Sequence, residues 1–154
     1  AMVLAEQPKS MVVVGSGAIG SEFAYFYNAI GTKVTLVEFM PNVVPVEDEE
    51  VSKQLEKSFK KQGIEVMTSA EVTKVDTSGK GCKVTVKTAK GEQVIECDIV
   101  LSAAGIVANL EGIGLEEVGI VTDKGKITVE FASLDDLRRI VDIMDPRNRV
   151  DRPI

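Results

Sequence analysis

Six consecutive residues form a G-x-G-x-x-G pattern suited to anion binding: Gly15, Ser16, Gly17, Ala18, Ile19 and Gly20. The pattern follows an apolar run and opens a helical stretch, the context in which it is informative. Its glycines permit a tight turn, close approach of the backbone to a pyrophosphate, and packing of the helix against the strand. Backbone N–H groups at the helix start would hold the diphosphate. The alternative is a purely structural strand-to-helix turn.

Glu38 stands at the predicted end of the next strand. A carboxylate there accepts hydrogen bonds from ribose hydroxyls and repels a 2′-phosphate. Residues 1–130 contain no Arg, and Phe39 and Met40, which follow Glu38, are apolar. The sequence therefore favours NAD over NADP. It leaves open FAD, which uses the same glycine pattern, and a surface acid that binds nothing.

Two further positions could face a cofactor. Glu22, in the first turn of the predicted helix, would either stabilise the helix dipole or face the far end of the ligand. Gly105 closes a run of small residues that begins at Ser102, where a bare backbone could approach a ligand or form a simple turn. The acidic run Glu47–Glu50 is interpreted as a solvated helix start, so no metal site is predicted.

The composition excludes other kinds of chemistry. The 154 residues include no His, which removes His-ligated zinc and His-activated nucleophiles. Cys82 and Cys97 form neither a C-x-x-C pair nor a disulfide framework, and we predict two reduced thiols on strands. The net charge of -6 argues against nucleic acid as a partner, and the longest apolar stretch is too short to cross a membrane.

Strands and helices alternate in the elements that would position these residues. The predicted order is strand Met11–Val14, helix Ala18–Ile30, strand Lys33–Glu38, helix Glu47–Gln62 and strand Ile64–Met67. On the first helix, Ile19, Phe23, Phe26, Tyr27 and Ile30 recur at helical spacing, and Tyr27 is expected in the core. A β-α-β-α-β order requires right-handed crossovers and a parallel sheet.

The pattern then changes to alternating polar and apolar residues. Three segments predict an antiparallel meander: Glu71–Thr77, Cys82–Thr88 and Gln93–Cys97. Ile99–Ser102 should return to the parallel sheet, and Lys126–Val129 could add a last strand. The predicted fold class is α/β: a Rossmann-like open parallel sheet with helices on both faces and an inserted three-stranded antiparallel meander.

Residues 131–154 differ in composition from residues 1–130. The first 130 residues contain 13 Lys and no Arg, whereas the last 24 contain five Arg and no Lys. Within this tail, Ser133 could cap a helix with an apolar stripe formed by Leu134, Leu137, Ile140, Val141 and Met144. We expect a non-native or fusion tail with one short helix.

Several segments agree in order and spacing with a known family: V-V-V-G-S-G-A-I-G-S-E-F-A, V-T-L-V-E-F-M-P, K-K-Q-G-I-E-V, and S-A-A-G-I-V-A-N-L-E-G-I-G-L-E-E-V-G-I with D-K-G-K-I. They resemble the NAD-binding domain of the dihydrolipoamide dehydrogenases over about residues 8 to 130. These flavoprotein disulfide reductases oxidise dihydrolipoamide with NAD in 2-oxo acid dehydrogenase and glycine cleavage complexes. The resemblance implies an NAD(H)-binding domain over residues 1–130.

Matched by position, the resemblance also implies roles for single residues. Gly15 to Gly20 would hold the pyrophosphate, and Glu22 would reach toward the nicotinamide. Glu38, next to the candidate Phe39, would bind the adenosine ribose. Val72 would lie by the adenine, and Gly105 would approach the cofactor through its backbone. NAD is the implied cofactor here, whereas FAD belongs to the full-length parent only.

The sequence departs from the family pattern in three respects. It lacks the FAD domain, the C-x-x-x-x-C redox disulfide and the His-Glu base of the interface domain. We therefore expect an NAD(H)-binding module that is inactive alone, with NAD(H) and the parent's FAD and interface domains as partners. Homo-oligomers could form through a sheet edge or the tail helix. The alternative is a non-catalytic interaction module using that helix. The expected location is the cytoplasm, or the mitochondrial matrix for a eukaryotic parent.

Overall fold

The computed structural model describes residues 3–107, 109, 122–123, 126–127 and 133–144. The chain divides into two compact units, residues 1–105 and residues 106–154. All of the residues that line the site described below belong to the first unit.

The first unit alternates strands and helices and then continues with strands only. Its elements are β1 (Ser10–Val14), α1 (Ala18–Ala29), β2 (Lys33–Val37), α2 (Glu49–Lys61), β3 (Glu65–Met67), β4 (Glu71–Asp76), β5 (Cys82–Thr88), β6 (Gly91–Cys97) and β7 (Ile99–Ser102). Each predicted strand and helix of this unit is present, and the bounds differ from the predicted ones by two residues at most.

The central sheet is parallel, with the strand order β3-β2-β1-β7. Ser10 pairs with Lys33 at the start of β1, and Met11 pairs with Ile99 of β7 on the other side. Strand β1 therefore has β2 on one side and β7 on the other. The chain passes from β1 to β2 and β3 on the first side, and it then returns to form β7 on the second. This reversal of direction beside β1 is where open α/β sheets form a crevice for ligands.

The two faces of this sheet are covered differently. One face packs Met11, Val13 and Leu36 against Tyr27 of α1 and Phe59 of α2. The other face packs the alternate strand residues, such as Val12 and Val37, against the core of the antiparallel strands. The predicted Rossmann-like sheet is confirmed, with one difference. Among the described residues, the meander covers the face on which a helix was expected.

The three-stranded antiparallel sheet has the order β4-β5-β6, as predicted. A two-residue connection, Ala89–Lys90, joins β5 to β6 and sets their register. The inward side chains Val84 and Val86 are buried and pack against the parallel sheet. Because side chains in a strand alternate between faces, the outward positions of the same strand, such as Lys83 and Lys87, are exposed.

Helix α1 buries three small residues and one large one, namely Gly20, Ser21, Ala24 and Tyr27. Ala24 and Tyr27 are buried, but Ile19, Phe26 and Ile30 are 62%, 47% and 45% exposed. The predicted burial of Tyr27 is therefore confirmed. The other three side chains lie about 100° around the helix axis from the side that Gly20, Ala24 and Tyr27 bury.

The second unit contains two short paired strands and one helix in its described residues. β8 (Thr122–Asp123) pairs antiparallel with β9 (Lys126–Ile127), and α3 spans Leu134–Met144. The predicted strand at Lys126 and the predicted tail helix both form, whereas Val129 lies outside the described residues. Across the described part of the chain, no helix combines the length and apolarity needed to span a membrane.

Candidate functional site

A pocket of about 490 Å³ opens where β1, β2 and β7 end. Its lining comes from the strand ends and from the start of β4: Val14, Gly15, Gly17, Val37, Glu38, Phe39, Met40, Pro45, Ala70, Glu71, Val72, Ala103, Ala104 and Gly105. The carboxyl edge of a parallel sheet is the usual place for a ligand in this class of fold. The pocket is therefore the candidate site of this unit.

Gly15 turns the chain sharply out of β1 into the pocket wall. Its φ of 96° is a left-handed conformation that favours glycine. A Cβ built on it would lie 2.5 Å from the carbonyl oxygen of Ala103, and its N–H donates to the carbonyl of Val37 at 2.8 Å. Gly15 thus joins the ends of three neighbouring strands.

Gly20 sets how closely α1 approaches this turn. A Cβ on Gly20 would lie 1.9 Å from the carbonyl oxygen of Gly15, a distance that no packed structure tolerates. The third glycine of the motif is therefore required by the packing of the helix itself, as the sequence pattern predicts.

Gly17 differs from both of these glycines. It has a φ of -59° and a ψ of -178°, which any residue can adopt, and no described atom lies within 4 Å of a Cβ built on it. Gly17 is also the N-cap of α1, and no side chain of the described residues caps that helix end. Neither the backbone nor the packing requires a glycine here, so the bare backbone leaves open space in the pocket beside a positive helix end.

Glu38 lines the pocket just after the end of β2, and it is 6% exposed. Its Oε2 accepts hydrogen bonds from the backbone N–H and the side-chain hydroxyl of Ser16, both at 2.7 Å. Its Oε1 accepts the backbone N–H of Met40 at 2.8 Å. A carboxylate can accept about four hydrogen bonds. These three contacts therefore hold Glu38 in place and leave acceptor capacity on the side of Oε1.

The structure brings most of the predicted site residues together at this pocket. Six of them line it: Gly15, Gly17, Glu38, Phe39, Val72 and Gly105. Two are buried behind it: Ser16, which bonds to Glu38, and Gly20, which packs on Gly15. The remaining three, Ala18, Ile19 and Glu22, are exposed and stand outside the described lining.

Glu22 lies beyond the first turn of α1. Helix α1 begins at Ala18, so Glu22 is its fifth residue, and the first turn of this fully described helix contains no acid. The predicted first-turn position of Glu22 was therefore wrong, although the helix begins at Ala18 as predicted. Glu22 is nevertheless exposed on the helix that borders the pocket.

Several lining residues were not predicted. Ala70 and Glu71 reach the pocket because the Ala70 N–H donates to the Glu38 carbonyl at 2.9 Å. Pro45 arrives through the β2–α2 connection, where the Val44 N–H donates to the Ser16 carbonyl at 3.0 Å. Neither position carries a local signal, since both contacts are tertiary. A smaller cavity of about 300 Å³ adjoins the mouth and shares Phe39 and Glu71.

Comparisons with known proteins all identify the same group of oxidoreductases. A family model described as pyridine nucleotide-disulphide oxidoreductase matches residues 1–134. The chain is 44% identical over 124 residues to a dihydrolipoyl dehydrogenase of Rhizobium etli, covering 80% of this chain and 26% of that protein. It is 45% identical over 132 residues to the mitochondrial dihydrolipoyl dehydrogenase of Pisum sativum, covering 84% and 26%.

Solved structures give the same result for the fold. The crystal structure of LpdA from Mycobacterium tuberculosis is similar, with a TM-score of 0.69 and 35% identity. The match covers 82% of this chain and 27% of that one. The chain thus spans about a quarter of the length of the relatives that it matches.

Proposed function

The chain belongs to the pyridine nucleotide-disulphide oxidoreductase family, and we propose that residues 1–130 are its NAD(H)-binding domain. The pyrophosphate lies over the loop from Gly15 to Gly20, where the first N–H groups of α1 point toward it. Glu38 binds the adenosine ribose, and Val72 lies near the adenine. Glu22 and Gly105 lie toward the nicotinamide end.

The observation that carries this proposal is the open space at Gly17. Gly15 and Gly20 are explained by strained or crowded backbone, but Gly17 has ordinary dihedral angles and no described neighbour at the Cβ position. An unused volume at the N-cap of α1, on the wall of the pocket, fits a diphosphate that approaches the backbone closely. Support for a ligand comes from the combination of this open space with a helix N-terminus and the pocket wall.

Glu38 supports NAD rather than NADP as the ligand. The carboxylate is buried at the pocket wall and held by Ser16 and Met40. A 2′-phosphate placed beside it would meet a fixed negative charge in poorly hydrated surroundings, whereas ribose hydroxyls would find an acceptor.

In the parent protein this domain binds and orients the dinucleotide. When bound, NAD would accept or donate a hydride. The chain's own residues bind and orient the dinucleotide and take no part in acid–base chemistry. The relatives named dihydrolipoyl dehydrogenase favour a role in dihydrolipoamide oxidation. The partners proposed on that basis are FAD-binding and interface domains of the same parent.

The proposal is tested with two glycine variants and isothermal titration calorimetry with NADH. Gly17→Ala places a methyl group where the diphosphate would lie, and we expect a rise in Kd of at least about ten-fold. Gly79→Ala is the matched control, because Gly79 also has no described atom within 4 Å of its Cβ position and lies far from the pocket in sequence. Both variants should remain folded: Gly79→Ala should leave the thermal unfolding midpoint unchanged, and Gly17→Ala should lower it by a few degrees, because glycine is preferred to alanine at a helix N-cap.

Three outcomes count against the proposal. Unchanged NADH affinity in Gly17→Ala would show that the open space does not serve a dinucleotide. A yellow purified protein that binds FAD in the same titration would assign the pocket to the flavin. Absence of any binding, together with self-association that requires α3, would favour an interaction module. Leu134 on that helix is 69% exposed, which is the observation behind this second candidate.

A further inference from the structure

The two cysteines of the chain occupy facing positions on neighbouring strands. Cys82 begins β5, Cys97 ends β6, and the antiparallel register pairs them directly. Directly opposed residues in such a ladder have Cα atoms about 4.5 to 5.5 Å apart, which is within the range of disulfides. Their separation in sequence does not reveal this, because the hairpin turn sets the register.

Both side chains lie on the same, inward face of the antiparallel sheet. Cys97 is a buried member of the core between the two sheets, and Cys82 packs against that core. The Cys82 Sγ lies 3.9 Å from the carbonyl oxygen of Asp98, the residue after Cys97. A Cβ on Gly81 would lie 2.6 Å from the Cys97 carbonyl oxygen, so Gly81 allows the strands to approach closely here.

The two thiols differ in how they can react. Both are free, Cys82 is half-buried, and Cys97 is 7% exposed. Burial raises the pKa of the Cys97 thiol, and the neighbouring Cys82 thiol raises it further, against a backbone hydrogen bond from Val12 that lowers it. Cys82 is therefore the thiol that an oxidant in solution reaches first, and Cys97 is placed to react with it second.

We propose that Cys82 and Cys97 form a reversible dithiol–disulfide pair that is oxidised by low-molecular-weight disulfides such as glutathione disulfide. The Cys82 thiolate attacks one sulfur of the reagent and expels one glutathione thiolate. Cys97 then gives up its proton, and its thiolate attacks the Cys82 sulfur of the mixed disulfide and expels the second glutathione thiolate. The two protein thiols lose two electrons and two protons, and one glutathione disulfide becomes two molecules of glutathione.

This pair lies along the first half of β1, away from the glycine loop. The Asp98 N–H donates to the Ser10 carbonyl at 3.2 Å, and the Val12 backbone N–H contacts the Cys97 sulfur, whereas the glycine loop begins after Val14. Three residues of β1 separate Val12 from Gly15, a distance of about 10 Å. The proposal therefore goes beyond the NAD(H) function and does not depend on it.

The test incubates the native, reduced chain with glutathione disulfide and maps the products by mass spectrometry. Trypsin releases Cys82 in the tripeptide 81–83 and Cys97 in a separate peptide, because Lys80, Lys83 and Lys90 flank them. We expect the intact mass to fall by two hydrogen atoms and the two peptides to appear as one linked species. Dithiothreitol should reverse both changes.

Single variants test the order of attack. With Cys97→Ser, Cys82 should accumulate as a stable mixed disulfide with glutathione. With Cys82→Ser, the buried Cys97 should stay unmodified over the same time. A wild-type chain that stops at the mixed disulfide, links only after denaturation, or forms disulfides only between chains would overturn the proposal. The peptide map that decides the question is made with the wild-type chain, so the test remains valid even if a variant folds poorly.

Discussion

At the residue scale, the glycine loop separates positions that folding requires from a position that a ligand would require. Gly15 has a left-handed φ and a carbonyl 2.5 Å from its Cβ position, and Gly20 has a carbonyl at 1.9 Å. Gly17 has neither constraint. A sequence motif treats the three glycines alike, and only their surroundings in the folded chain distinguish them.

Alanine substitution should reveal this difference as a difference in stability. We expect Gly20→Ala to lower the free energy of unfolding by at least about 2 kcal/mol, because its methyl group would push α1 away from the Gly15 carbonyl. Gly17→Ala should lower it by only about 0.5 to 1 kcal/mol, the difference between glycine and alanine at a helix N-cap. Urea denaturation followed by circular dichroism measures both. Equal losses in the two variants would contradict the distinction drawn here.

Glu38→Gln tests the discrimination between dinucleotides. The neutral amide removes the charge that would repel a 2′-phosphate, so the ratio of the NADPH Kd to the NADH Kd should fall by about ten-fold or more. The amide N–H₂ would also face an N–H of Ser16 or Met40, which should cost about 1 to 3 kcal/mol of stability. Calorimetry with both dinucleotides measures the ratio.

The control for this experiment is Glu92→Gln, which removes an exposed carboxylate from β6. It changes the net charge by the same amount and should leave the ratio unaltered. An unchanged ratio in Glu38→Gln, with NADH still bound, would mean that Glu38 only positions Ser16 and Met40 and does not select the ligand.

At the element scale, the periodicity of the sequence was sufficient for the sheet and insufficient for one helix face. Runs such as Met11–Val14 predict a buried strand whichever way they face, because both sides of a parallel strand are covered. Helix α1 carries apolar residues on two sides, and only the side with Gly20, Ala24 and Tyr27 packs on the sheet, whereas Ile19 is exposed. Residue hydrophobicity alone does not tell which of the two sides is buried.

The same reasoning explains which site residues were predictable. Gly15, Glu38 and Gly105 stand at or just beyond strand ends, which a parallel sheet brings to one edge, so spacing was enough. Ala70 and Glu71 reach the pocket through a hydrogen bond to the Glu38 carbonyl, and the bond between Ser16 and Glu38 depends on a side-chain rotamer. Such tertiary contacts leave no pattern in a single sequence.

Asp98 joins the second sheet to the first and should make stability depend on pH. Backbone N–H groups of Ser10 and Lys9 donate to its Oδ2 at 3.0 and 2.7 Å, and these bonds lower the pKa of the carboxyl group. Because the folded pKa lies below the unfolded one, the stabilisation is present above the unfolded pKa of about 3.9 and is lost as pH falls through the folded value.

We therefore expect Asp98→Asn to be less stable than the wild type near pH 7 and to approach it as the pH falls toward about 3. Urea midpoints at a series of pH values measure the difference, and Glu92→Gln serves as the control for a lost surface charge. A difference that stays constant from pH 7 to pH 3 would contradict the assigned role of the Asp98 charge.

At the scale of the whole molecule, the described lining of the candidate site comes from one part of the chain. Its lining residues fall between Val14 and Gly105, within the first unit. We expect a chain ending at residue 130 to bind NADH with a Kd within about two-fold of the complete 154 residues. Calorimetry on both proteins tests this, with circular dichroism to establish that the shorter one is folded. A folded but non-binding shorter chain would place part of the site in residues 131–154.

Dinucleotide binding and thiol chemistry should remain uncoupled in this chain. Hydride transfer requires reacting atoms about 3 to 3.5 Å apart, and Cys97 contacts Val12, about 10 Å from Gly15 along β1. The sequence holds no C-x-x-x-x-C motif and no His that could connect them. Mixed with dihydrolipoamide and NAD, the 154-residue chain should therefore form no NADH.

The oxidised form of the chain makes this prediction quantitative. It should consume at most one equivalent of dihydrolipoamide by reduction of the Cys82–Cys97 disulfide, with no change in NADH absorbance. The variant with both cysteines replaced by Ser should consume none. NADH formation that continues with time, in the absence of added flavin, would show that the thiols and the dinucleotide communicate, and would require a second arrangement of the two sheets.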